Sequence, residues 1–137
     1  MTVSVATMDL VKRHEGFRCK VYIDTTGHQT IGYGRNLSAC GISSSEAETM
    51  LINDLAAVES ELIRLVPIYT DLSEARKSCL MDMAFNLGIH GLLEFKEMLA
   101  YVTAGNFASA AQCMRESKWH LQVHGRADDD AFLMEKG

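Results

Sequence analysis

At 137 residues, with 47% hydrophobic content and one proline, the chain is one domain's worth of protein. It can bury roughly 65% or more of its unfolded surface without a metal or disulfide staple, which excludes a disordered chain. No run approaches the roughly 20 apolar residues of a membrane span, and the opening MTVSVATMDLVKRHEG lacks a basic start followed by an apolar core, so neither membrane insertion nor a secretory signal is expected.

Residues 4–15 read as a helix with Val5, Met8, Val11 and the stem of Lys12 near one face. Residues 17–23 alternate as a strand, and 28–34 supply an antiparallel partner across an Asp24–Gly27 turn, with Gly32 and Gly34 marking a bent or bulged strand. A third short strand is expected around 36–40. Ser43 with Glu46 forms a capping box, and Met50, Leu51, Leu55, Val58, Leu62, Leu65 and Val66 then keep a long helical stripe that Pro67 ends. Ser73 caps the next helix, whose Cys79, Leu80, Met83, Ala84 and Leu87 form an apolar band suited to the centre of a core. Gly88 stops it, Gly91 allows a corner, and 92–103 continue as a helix to the Ala104-Gly105 break. Asn106 caps a helix to about Ser117, and 125–135 form the last one. Trp119 is expected as a core plug in preference to a sugar-stacking platform. Asp128, Asp129 and Asp130 read as a solvated first turn.

The densest chemical signal is Glu15, eight residues, Asp24, five residues, Thr30. Taken singly, Glu15 is an ordinary surface acid, Asp24 a turn former and Thr30 a strand residue. Together they place a carboxylic acid at a helix end and a second carboxylate and a hydroxyl on a small hairpin. Inverting glycoside hydrolysis needs that set: a protonated carboxyl on the leaving oxygen and an ionised carboxylate about 6.5–9.5 Å away, with a water between. One extended strand would separate Glu15 and Asp24 by roughly 30 Å, at about 3.3 Å per residue. A bend is therefore required, and Gly16 directly follows the acid.

HEGFRCKVYIDTTGHQTIGYGRNL, residues 14–37, resembles the catalytic segment of the bacteriophage-type, T-even phage-like lysozymes or endolysins, which cut peptidoglycan. RKSCLMDMAFNLG from Arg76, GLLEFKEML from Gly91 and SKWHLQVHGRA from Ser117 are similar to helical segments of the same family, so the likeness runs over most of the chain. The resemblance implies an α+β, lysozyme-like, mostly helical fold. A small antiparallel sheet would sit in an N-terminal lobe of about 14–45, and a long helix of about 43–66 would connect it to a helical lobe of about 67–137 that includes the first helix, all one domain. It also implies Glu15 as general acid, Asp24 and Thr30 as holders of the attacking water, and Phe85 and Arg126 as substrate-binding residues, Arg126 matching an arginine close to the catalytic glutamate. Asn36, Met98 and Cys113 stand where the family has a leucine, a serine and an asparagine that contact substrate.

Cys19, Cys40, Cys79 and Cys113 have no paired metal-ligand spacing and are expected to be reduced, although their even number leaves a disulfide open in an oxidising space. His120 and His124 can share a helix face but lack a third ligand, so neither metal nor cofactor is expected. The net charge of −5 is uneven: residues 1–35 carry five Lys/Arg against three acids, giving +2, and the remainder gives −7. Nucleic-acid binding is disfavoured on that ground. An acidic enzyme must also rely on contacts within a cleft, because acidic peptidoglycan stems are not steered towards it. The expected function is a peptidoglycan hydrolase acting as a monomer, held in the host cytoplasm and released to the wall through a membrane pore. A catalytically impaired wall-binding module and a toxin-type lysozyme are the alternatives.

Overall fold

The computed structural model describes residues 2–137. The fold is α+β, mostly helical with a small antiparallel sheet near the N-terminus, as expected. It divides into two compact units, one ending at Thr49 and the other running Met50–Gly137.

In the first unit, helix α1 (Val5–Glu15) starts at Ser4, whose hydroxyl accepts from the Thr7 backbone N–H, and ends at Gly16, whose φ of 71° breaks the helix directly after the acid. Strands β1 (Arg18–Ile23), β2 (Gln29–Gly32) and β3 (Arg35–Asn36) form an antiparallel sheet in that order. Tyr22 faces Thr30 and Ile23 faces Gln29, while the register shifts between Arg18 and Tyr22, so the bulge falls on β1 and not on the glycine-bearing strand where it was expected. The expected strand at 36–40 is instead the short β3 followed by helix α2 (Leu37–Cys40). The Asn36 carboxamide accepts from the Ala39 N–H at 3.0 Å, and this cap turns the chain into a helix. The Ser43–Glu46 capping box forms as read, with reciprocal bonds of 3.1 and 3.3 Å, and opens helix α3 (Ser44–Leu65).

The second unit holds the apolar core. Of the α3 stripe only Leu62 and the following Val66 are buried, while Met50 and Leu51 are exposed. A 3-10 turn at Tyr69–Asp71 leads to helix α4 (Glu74–Leu87), capped by Ser73. The expected single helix over 92–103 is broken at Glu94 and Phe95 into α5 (Ile89–Leu93) and α6 (Lys96–Thr103). Gly91 lies inside α5 and makes no corner; a β-carbon there would stand 3.0 Å from Leu87 Cβ, so the glycine lets the helix approach the end of α4. Helices α7 (Phe107–Arg115), α8 (Lys118–Val123) and α9 (Gly125–Lys136) complete the unit. Cys79, Leu80, Met83, Met98, Met114 and Met134 are among the residues that pack its interior. Trp119 is a core residue, as expected: it is buried in α8, meets Phe95 edge-on and donates its indole N–H to Asn86 Oδ1 at 2.8 Å.

Candidate active site

Every member of the Glu15, Asp24, Thr30 set lies in the first unit. Glu15 is the last residue of α1, exposed, and its carboxylate rests against the β2–β3 turn. Gly34 has a φ of +82°, and a β-carbon on it would stand 2.6 Å from Glu15 Oε2. Only glycine provides both that backbone angle and that space.

Asp24 follows β1 directly and organises the turn. Its Oδ1 accepts from the Thr26 N–H at 2.8 Å, the Thr26 hydroxyl at 2.8 Å and the His28 N–H at 2.9 Å. Its own N–H donates to the His28 carbonyl at 3.0 Å, and its carbonyl accepts from the Gly27 N–H at 3.1 Å. Oδ2 takes part in no hydrogen bond among the described residues, so one carboxylate oxygen fixes the loop and the other has no protein partner there. The His28 N–H, and after it the Thr26 hydroxyl, hold the carboxyl below its ordinary range, which keeps Asp24 ionised.

Thr30 is paired with Tyr22 across the sheet. Asp24 lies two positions beyond Tyr22, so by strand alternation Thr30 and Asp24 share a face. Thr30 is buried, and its hydroxyl donates to the His28 carbonyl at 3.0 Å. It therefore does not bond Asp24 directly. His28 links the two, and the Thr30 oxygen keeps its lone pairs as an acceptor.

The other two expected residues lie in the second unit. Phe85 is exposed on α4 and, with Ala57, Val58, Glu61, Ala84, Gly88 and Ile89, lines a mainly apolar groove of about 340 Å³. Arg126 on α9 is gripped by Asp82 on α4: Nε donates to Oδ2 at 2.8 Å, and Nη2 to Oδ1 at 2.7 Å and to the Asp82 carbonyl at 3.3 Å. This fork holds Asp82 below the usual carboxylate range and raises Arg126 further. Asp130, read from sequence as solvated, is buried instead. It falls on the face of α9 that buries Ala127, Ala131 and Met134, and burial followed by the Asp82 carboxylate pushes its acid up to about 8.

Asp82 and Asp130 were missed in the sequence. The available signal was Asp82 inside the apolar run CLMDMAF and Asp130 four residues after Arg126. Of the residues at departed contact positions, Asn36 caps α2 and Met98 is buried. Cys113 lies along a groove with Glu94, Glu97 and Glu116, and burial followed by those acids at 97 and 116 raises its thiol.

The phage lysozyme family model matches residues 12–128. The chain is 28% identical over 162 residues to the pre-baseplate central spike protein Gp5 of Enterobacteria phage T4, covering 98% of this chain and 28% of that protein. It is 28% identical to the probable T4-type lysozyme 1 of Dictyostelium discoideum, covering 94% and 93% respectively. It is 33% identical over 117 residues to the endolysin of Bacillus phage B103, covering 81% of this chain and 43% of that protein. The chain thus spans under half of the spike protein and of that endolysin, and nearly all of the Dictyostelium protein.

Proposed function

Because the chain belongs to the phage lysozyme family, a family of lysozyme-type glycoside hydrolases acting on peptidoglycan, we propose that it cleaves the β-1,4 bond between N-acetylmuramic acid and N-acetylglucosamine. Glu15 gives its proton to the glycosidic oxygen as that bond to the anomeric carbon breaks. A water held by Asp24 Oδ2 and the Thr30 hydroxyl adds to the same carbon from the opposite face and passes its proton to the Asp24 carboxylate. Phe85 and Arg126 bind the sugar chain, and the two units act as lobes of one lysozyme-like domain joined by α3.

The observation that carries this reading is the division of labour at Asp24. Three donors fix Oδ1 and leave Oδ2 without a protein partner among the described residues, and Glu15 abuts the turn of the same sheet. An ionised carboxylate with one oxygen immobilised is suited to orienting a water. The role is host cell lysis, with the protein reaching the wall from the host cytoplasm through a pore made by another protein. No helix among the described residues is long and apolar enough to cross a membrane.

Purified protein should clear a peptidoglycan suspension, and Glu15→Gln should abolish clearing while the circular dichroism spectrum is unchanged. Clearing by that variant would refute Glu15 as the acid. Burial of Met98, at a position where the family's substrate contact is a serine, favours one second reading, a wall-binding module without activity. Wild-type protein that sediments with peptidoglycan but releases no fragments would establish it.

A further inference from the structure

Arg126, Asp82 and Asp130 form a set in the second unit of which the reading above uses Arg126 alone. The guanidinium spends Nε and Nη2 on Asp82, leaving only the two Nη1 hydrogens without a partner among the described residues. Asp130 is 3% exposed, stands beside Asp82, and has an Oδ2 with no hydrogen-bond partner. A carboxylate so placed would be a second buried negative charge facing one cation; a protonated carboxyl can donate to Asp82 and leave the set neutral. Arg126 and Asp130 are four apart on α9, and Asp82 is on α4, so the set also ties those two helices together.

We infer that Asp82 and Asp130 are positioning residues for Arg126: Asp82 grips the Nε and Nη2 edge, Asp130 holds Asp82 from behind as a neutral donor, and the Nη1 edge is thereby presented to an oxygen acceptor on the substrate. The inference rests on the reading of Arg126 as a substrate-binding residue. The groups around Asp130 agree with it. From α4 it meets Asp82 and, more distantly, the Cys79 thiol; from α9 it meets Arg126 and Asp129. α7 contributes the buried Ala110, Ala111 and Met114, its Arg115 being paired with Glu135, and in α8 His120 is paired with Asp128. Arg126 is thus the cation that faces this pair, and it offsets Asp82 alone, with Asp130 neutral.

Asp82→Asn keeps the shape but loses the charge and one acceptor, so KM for soluble peptidoglycan fragments should rise about tenfold with kcat changed by less than about twofold. Asp82→Glu should recover part of the loss. In wild type the Arg126 Nε proton should give a slowly exchanging NMR signal that Asp82→Asn removes. Asp130→Asn retains a donor towards Asp82 and should keep that signal. It should also remove the pH dependence that follows from an acid held at about 8 against an ordinary 3.8. The folded state binds the extra proton between those values, so wild-type stability falls as pH rises through that window and the loss is complete above it. The melting temperature of Asp130→Asn relative to wild type should therefore climb from about pH 5 to about pH 9. A wild-type KM with an unmoved Nε signal in Asp82→Asn, or a pH-independent Asp130→Asn difference, would overturn the inference. Wild-type protein that releases no sugar fragments would instead defeat the functional reading, while the NMR signal and the pH series still decide the clamp.

Discussion

Thr30 is the one buried residue among those described in the first unit, whereas the second carries the whole apolar cluster from Leu62 to Met134. Their carboxylates are set accordingly. Asp24 is lowered in the open by backbone and hydroxyl donors of its own turn, and Asp130 is raised by loss of water and by a neighbouring carboxylate. The first unit fixes the polar atoms of the Asp24 turn by hydrogen bonds within a few residues. The second fixes polar atoms by packing helices distant in sequence, as Arg76 also shows by donating to the Met134 and Glu135 carbonyls at 2.8 and 3.2 Å. Chemistry that needs water fits the first arrangement, and rigid support fits the second.

Asp24→Asn separates chemistry from stability most sharply. The amide oxygen can still accept the turn's donors, so unfolding should change little while kcat falls about 10²–10⁴-fold, the range of a lost acid-base group. A loss of fold in place of activity would break the contrast. Leu80→Ala should do the reverse, costing about 2–5 kcal/mol by denaturant unfolding, because Leu80 is fully buried. Gly34→Ala tests how tightly the turn holds the acid. Its β-carbon would meet Glu15 at a positive φ, and displacement of the carboxylate should lower kcat by about 10²-fold. Truncating Val21, exposed on β1, should change stability by less than about 0.5 kcal/mol. A cost at Val21 equal to that at Leu80 would show that the first unit depends on side-chain burial after all.

The features written in local sequence were the ones that could be read from it. The caps at Ser43, Ser73 and Asn106, the stop at Gly16 and the hairpin around Asp24 each depend on residues within a few positions, and each is present. The break at Phe95 and the burial of Asp130, both set by distant partners, were missed. Nothing between 92 and 103 signals the interruption at Phe95, whose ring packs against Trp119. Asp130 resembles its exposed neighbours Asp128 and Asp129 until α9 is laid on α4. For the candidate site, the proposed set of Glu15, Asp24 and Thr30 is local enough to be picked out of the sequence, and the link that His28 makes between the last two is not, because it runs through backbone atoms.

The most direct test of the central claim, a water delivered by Asp24 and Thr30 to a bond protonated by Glu15, is the mass of fragments released from purified peptidoglycan. Wild type should release fragments with reducing ends, each cleavage adding one water, and Glu15→Gln and Asp24→Asn should release almost none. Fragments lighter by one water, with an internal anhydro ring, or undiminished release by either variant, would contradict it.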